Sequence, residues 1–184
     1  LNVEIIPHGV EIPKRFKKKL DKKNKIALFL GRINPTKGIS ELLEVWKRLE
    51  VRNWTLLIAG ISEDLVYEKN LRKIAEEITL KKVIFLGPVY GNEKHKLLKN
   101  TDLFILPTKT ENFGISVLEA LAYKIPVITT KAAPWPILNK YSIGWWIENN
   151  PIDLSKAIQK AINKPYSELI SMGENAYSIV KVKY

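Results

Sequence analysis

Short apolar runs alternate along this chain with longer segments whose apolar residues recur at helical spacing. That alternation is the strongest constraint on the fold. Parallel strands need a long crossover between them, usually a helix, whereas antiparallel strands can be joined by a tight turn. Strands are expected at Lys25 to Leu30, Trp54 to Ala59, Val83 to Leu86, Leu103 to Leu106 and Val127 to Thr129, with a short sixth at Trp145 to Ile147. Helices are expected at Ile39 to Leu49, Asp64 to Ile78, Glu93 to Lys99, Gly114 to Tyr123, Asp153 to Asn163 and Tyr166 to Val180. Leu71, Ile74, Ala75 and Ile78 supply one of the helical stripes. No internal repeat or low-complexity tract breaks the pattern, so the expected fold is α/β: a Rossmann-like, doubly wound parallel sheet of about six strands with helices on both faces.

At 184 residues, the chain fits one domain with a substantial core. Its 46% hydrophobic and 27% charged residues are those of a globular chain, and no apolar run approaches the roughly 20 residues that span a bilayer. With no cysteine, disulfides and thiolate chemistry are excluded. His8 and His95 lie far apart and suggest no metal site. The formal charge of +11 is concentrated in Lys14, Arg15, Lys17, Lys18, Lys19, Lys22, Lys23 and Lys25. This stretch lacks apolar periodicity and interleaved aromatics. It reads first as a solvated connection and second as a surface for anionic lipid, with no nucleic acid expected.

In doubly wound sheets the ligand lies beyond the carboxyl ends of the strands, so the residues just after each strand carry the functional information. The first strand is followed by Gly31-Arg32-Ile33-Asn34-Pro35-Thr36-Lys37-Gly38, a glycine turn bearing two cations. It suits a diphosphate, the arginine fork gripping oxygens and the lysine adding a point charge, or else it is a turn with two solvated cations. It is not a Walker loop, because the lysine precedes the second glycine.

The fourth strand is followed by the run from Thr108 to Ala120, which holds Glu111, Asn112, Phe113, Gly114, Ile115 and Glu119. The amides at Phe113 and Gly114 open a helix and suit an anion. Glu119 falls about 9 Å farther along that helix at 1.5 Å per residue, a span that fits a ribose beside a diphosphate. Leu118, Ala120, Leu121 and Ala122 flank Glu119, an apolar setting in which a carboxylate needs a partner. Arg32, Lys37, Glu111 and Glu119 are therefore expected to converge on one crevice. Trp135, within Ala132-Ala133-Pro134-Trp135-Pro136, either stacks on a sugar or base or packs into the core. Trp145-Trp146 is expected to pack against the sheet, and His8 either touches substrate or serves a turn.

Together these residues resemble the retaining glycosyltransferases of family 4, also called group 1, whose GT-B architecture sets two Rossmann-like domains around a cleft. The resemblance runs from Ile6-Pro7-His8-Gly9-Val10 to the last residue. It rests on Gly31-Arg32 with Lys37-Gly38, Gly60, Phe85-Leu86-Gly87, Thr101-Asp102-Leu103, Pro107 through Glu111, Phe113-Gly114, Glu119-Ala120 and Pro126-Val127-Ile128. It implies that residues 1–184 are the C-terminal, donor-binding domain, with an N-terminal acceptor domain absent from this chain. It further implies a metal-independent hexosyltransferase without cofactor, acting on a UDP- or GDP-linked sugar, and an isolated domain that transfers little.

By the resemblance, Glu111, Arg32 and Lys37 are the catalytic residues, Arg32 and Lys37 on the diphosphate and Glu111 beside the donor sugar. Asn112, Phe113, Gly114 and Ile115 complete the donor loop, Glu119 holds the ribose, and the backbone near Pro88 and Val89 meets the base. The implied acceptor is a saccharide or lipid-linked saccharide used in surface polysaccharide or glycolipid synthesis. The implied location is cytoplasmic, with peripheral contact to the inner face of the membrane. The chain departs from the family where Asn112 replaces a frequent glycine, and in its proline-tryptophan segment. A non-catalytic nucleotide- or phosphate-binding module of similar fold is the competing reading of the same residues.

Overall fold

The computed structural model describes residues 9–13, 16, 18, 22–78 and 82–184. Six parallel strands form one sheet in the order β3-β2-β1-β4-β5-β6: β1 Lys25–Leu30, β2 Trp54–Ala59, β3 Lys82–Gly87, β4 Leu103–Leu106, β5 Val127–Thr130 and β6 Gly144–Ile147. The helices are α1 Ile39–Arg48, α2 Leu65–Glu76, α3 Gly91–Asn100, α4 Ile115–Ala122, α5 Ile137–Lys140, α6 Pro151–Ile162 and α7 Tyr166–Lys183. This is the expected doubly wound α/β fold. The short α5 and a 3-10 turn at Pro35–Lys37 are additions to the sequence reading, both too short to carry a periodic signal.

The central strands are apolar on both faces because helices cover both. In β1, Ala27, Leu28 and Phe29 are fully buried, and every residue of β4 is buried. Helix α1 packs against α2 and α6, while α4 packs against α7. The chain reverses direction across the sheet between β1 and β4, where the loops after the two strands diverge and leave a crevice.

Two glycines bring the post-strand loops into contact. Gly38 has φ +69, and a Cβ there would stand 2.0 Å from the carbonyl oxygen of Pro107. Gly60 has φ +151, and its Cβ would stand 1.7 Å from the carbonyl oxygen of Gly31. Only a residue without a side chain permits either approach. The first seats the β1 loop on the β4 loop, and the second seats the β2 loop on the β1 loop.

The basic stretch is partly tied to this body. Lys22 pairs with the buried Asp102 at 2.6 Å, while Asp102 also accepts bonds from the Ile26 amide at 2.7 Å and the Tyr166 hydroxyl at 2.8 Å. Lys18 donates to the carbonyl of Thr101, and burial pushes its ammonium down to about 8. Lys25 lies over the rings of Trp54 and Tyr166. Three of the eight cations thus turn inward instead of being solvated; Lys14, Arg15, Lys17 and Lys19, like His8, lie outside the described residues.

Candidate functional site

The loop after β1 folds into its turn for local reasons. Asn34 caps the turn, its Oδ1 accepting from the Thr36 amide at 3.1 Å and the Thr36 hydroxyl at 2.7 Å, and Pro35 supplies a preset φ at the first position. The turn is then anchored to the β4 loop. The Lys109 amide donates to the Thr36 carbonyl at 2.7 Å, and the Thr108 hydroxyl reaches the same carbonyl at 3.3 Å. Lys37 is carried by this anchored turn, and its Nζ meets Glu111 Oε2 at 2.7 Å. Both side chains are largely enclosed, at 10% and 19% exposure.

Arg32 has a different partner. Its Nη1 donates to Glu63 Oε1 at 2.7 Å, and Asn34 Nδ2 donates to Glu63 Oε2 at 2.7 Å. Those two hydrogen bonds, the Asn34 bond foremost, hold the Glu63 carboxyl below the usual carboxylate range. Nothing in the sequence singles out Glu63, which sits in an irregular loop just before the α2 cap.

Arg32, Lys37, Glu111, Asn112, Phe113, Gly114, Ile115 and Ser116 line a single cleft of about 390 Å³ beneath the ends of β1 and β4. The start of α4 faces it, and the first amides of a helix have no partner within the helix. The donor loop is braced from behind by Trp135, which is 1% exposed and donates from Nε1 to the Phe113 carbonyl at 2.5 Å. The Phe113 and Trp135 rings lie 5.2 Å apart, and Tyr184 completes the cluster. Of the two roles left open for Trp135, packing is therefore the observed one. Trp146 braces the neighbouring turn, its Nε1 donating to the Ala133 carbonyl at 2.7 Å.

Glu119 departs from the expected convergence on one crevice. It lies one turn beyond Ile115 on α4 and lines a second cleft of about 220 Å³ with Lys94, His95, Tyr123 and Glu11. There it pairs with Lys94 of α3, the partner that its apolar flanks required. His95 meets the Tyr123 hydroxyl in the same cleft, and burial pushes that hydroxyl up. Val89 follows β3, half-buried and packed on the core. Helix α4 thus serves two separate clefts, its start facing the cations at the sheet switch point and its Glu119 lining the second.

A family model for glycosyl transferases group 1 matches residues 11–179. The chain belongs to the group 1 glycosyltransferases. It is 32% identical over 148 residues to an uncharacterised glycosyltransferase of Methanocaldococcus jannaschii, covering 76% of this chain and 36% of that protein. The chain thus spans about a third of that relative's length. The C-terminal domain of a group 1 glycosyl transferase from Francisella tularensis superimposes with a TM-score of 0.78 at 26% identity, covering 92% of this chain and 95% of that one. TarM of S. aureus, solved in complex with UDP and saccharide ligands, gives 0.80 at 25% identity, covering 95% of this chain and 35% of that one. This glycosyltransferase domain therefore corresponds to the C-terminal half of a GT-B fold. None of its described helices is long and apolar enough to cross a membrane.

Proposed function

We propose that this group 1 domain binds the nucleotide-diphosphate sugar of a retaining glycosyltransferase, which passes the sugar to a saccharide or lipid-linked acceptor in surface polysaccharide or glycolipid synthesis. One observation carries the reading: Arg32, Lys37, Glu111 and the start of α4 share one cleft at the switch point of the sheet.

The diphosphate lies against Arg32, Lys37 and the amides near Phe113 and Gly114, and the nucleoside extends along α4. Glu119 accepts bonds from the ribose hydroxyls, and the backbone at Val89 meets the base. As the bond from the anomeric carbon to the diphosphate oxygen breaks, negative charge grows on the leaving group beside two cations already in place. The Lys37–Glu111 pair gives this a switch-like element. An arriving diphosphate offers Lys37 a second anion, which releases Glu111 to the sugar hydroxyls and to positive charge at the anomeric carbon. The cations supply the charge neutralisation without a metal, and a lipid-linked acceptor would bring the basic stretch near anionic lipid. Liposome sedimentation that did not depend on anionic lipid would remove that last element.

Calorimetric titration of this chain with UDP, GDP and ADP and their glucose and mannose conjugates tests the reading. One nucleotide should bind selectively, and Glu119→Ala should weaken it by roughly tenfold, the worth of hydrogen bonds to a charged group. Equal binding of all three with no effect of Glu119→Ala would sink it.

A further inference from the structure

Glu63 touches two side chains of the β1 loop, Arg32 and Asn34. One oxygen accepts from Arg32 Nη1 and the other from Asn34 Nδ2, each at 2.7 Å. Asn34 in turn caps the turn that carries Lys37, through the Thr36 amide and hydroxyl. A single side chain therefore reaches Arg32 directly and the Lys37 turn through one intermediary.

The backbone delivers Glu63 to this position. Gly60 allows the β2 loop to lie on Gly31, where the Ile33 amide donates to the Ile61 carbonyl at 2.8 Å and the Glu63 amide to the Ile33 carbonyl at 3.4 Å. Ile33 and Ser62 form a parallel bridge beyond the ends of β1 and β2. The two loops are laced as a short extension of the sheet, and Glu63 stands at its tip.

The guanidinium is engaged through Nη1 alone. Its Nε and Nη2 have no partner among the described residues, so donors remain for an anion in the cleft that Arg32 lines. An unbraced arginine would lose much side-chain freedom on gripping a phosphate, whereas one already held by a carboxylate has less to lose.

We propose that Glu63 is a positioning residue for diphosphate binding, which presets Arg32 directly and the Lys37 turn through Asn34. The inference rests on the donor-site reading above. Glu63 brings a negative charge near an anion site, so two effects oppose each other. Orientation of the loop favours binding and charge repulsion disfavours it. The direct pairing to Arg32 largely neutralises the carboxylate, so orientation wins.

The test measures binding of inorganic pyrophosphate, UDP and GDP to this chain and to Arg32→Ala, Glu63→Ala, Glu63→Gln and the Arg32→Ala/Glu63→Ala pair. Glu63→Ala should weaken binding up to about fivefold, the reach of an exposed ion pair. Glu63→Gln, which keeps an oxygen and can still accept from one arm, should restore most of the loss. In the Arg32→Ala background the Glu63→Ala effect should shrink, a coupling that a merely structural role would not produce. If Arg32→Ala weakens binding while Glu63→Ala leaves it unchanged or tightens it, the inference is overturned and the donor-site reading stands. If Arg32→Ala changes nothing, the donor site at Arg32 falls and the inference with it.

Discussion

Arg32 and Lys37 leave the same strand on the same loop and are held by opposite means. Lys37 is one-tenth exposed, pinned through its turn to the β4 loop and paired with a Glu111 that is about one-fifth exposed. Arg32 is 61% exposed and braced by a Glu63 that is itself 42% exposed. The difference teaches that one loop serves two purposes. The lysine lines the cleft and also belongs to the packing between loops, so its removal disturbs the fold together with the ligand. The arginine belongs to the surface of the cleft, so its removal disturbs the ligand.

The largest effect should come from breaking the seat of the buried cation. A methyl group at Gly38 would meet the Pro107 carbonyl oxygen at 2.0 Å with the backbone in the left-handed region. Gly38→Ala should cost about 3 kcal/mol, combining backbone strain with overpacking. For a chain of this size that lowers the melting temperature by roughly 6–12 °C. An unchanged melting temperature would show that the β1 loop is not held to the β4 loop at this contact, and the contrast between the two cations would lose its basis.

Removing the partner of Lys37 should come next. Glu111→Ala leaves an ammonium with little access to water, at a cost of about 2 kcal/mol. This is below the ~3–5 of fully buried pairs because Glu111 is one-fifth exposed. Adding Lys37→Met should recover much of the loss, since it removes the unpaired charge and keeps an unbranched chain in place. Thermal unfolding of the two variants decides it. A double variant less stable than Glu111→Ala would mean that Lys37 is held by its solvent contact and not by the pair.

The same contrast marks how far the sequence could be read. Lys37 and Glu111 were legible because each occupies a fixed place after an apolar strand, and strand ends are predictable from apolar runs and breakers such as Pro107. All six strands were read in this way, β1, β2 and β4 to the residue. Glu63 was not legible, because its position depends on how Gly60 lets one loop rest on another, a contact that no periodicity reports. The pairing of Glu119 with Lys94 escaped for a related reason. The apolar neighbours showed that Glu119 needed a partner, but the partner's identity depends on how α3 crosses back to β4. Trp135 stayed open between ligand and core until the Phe113 carbonyl was seen to accept from its indole.

Arg32→Lys should produce the smallest change in stability and the clearest separation of the two cations. An exposed pair contributes at most about 1 kcal/mol, and a lysine can still reach Glu63, so unfolding should move by less than about 0.5 kcal/mol. Binding is a different matter. A lysine offers one ammonium where arginine offers a planar fork, and once that ammonium is on Glu63 little remains for a phosphate. Affinity for UDP or GDP should fall by roughly tenfold while the melting temperature stays put. If instead affinity holds and stability falls, Arg32 serves the fold and not the ligand, and the contrast between the two cations is lost.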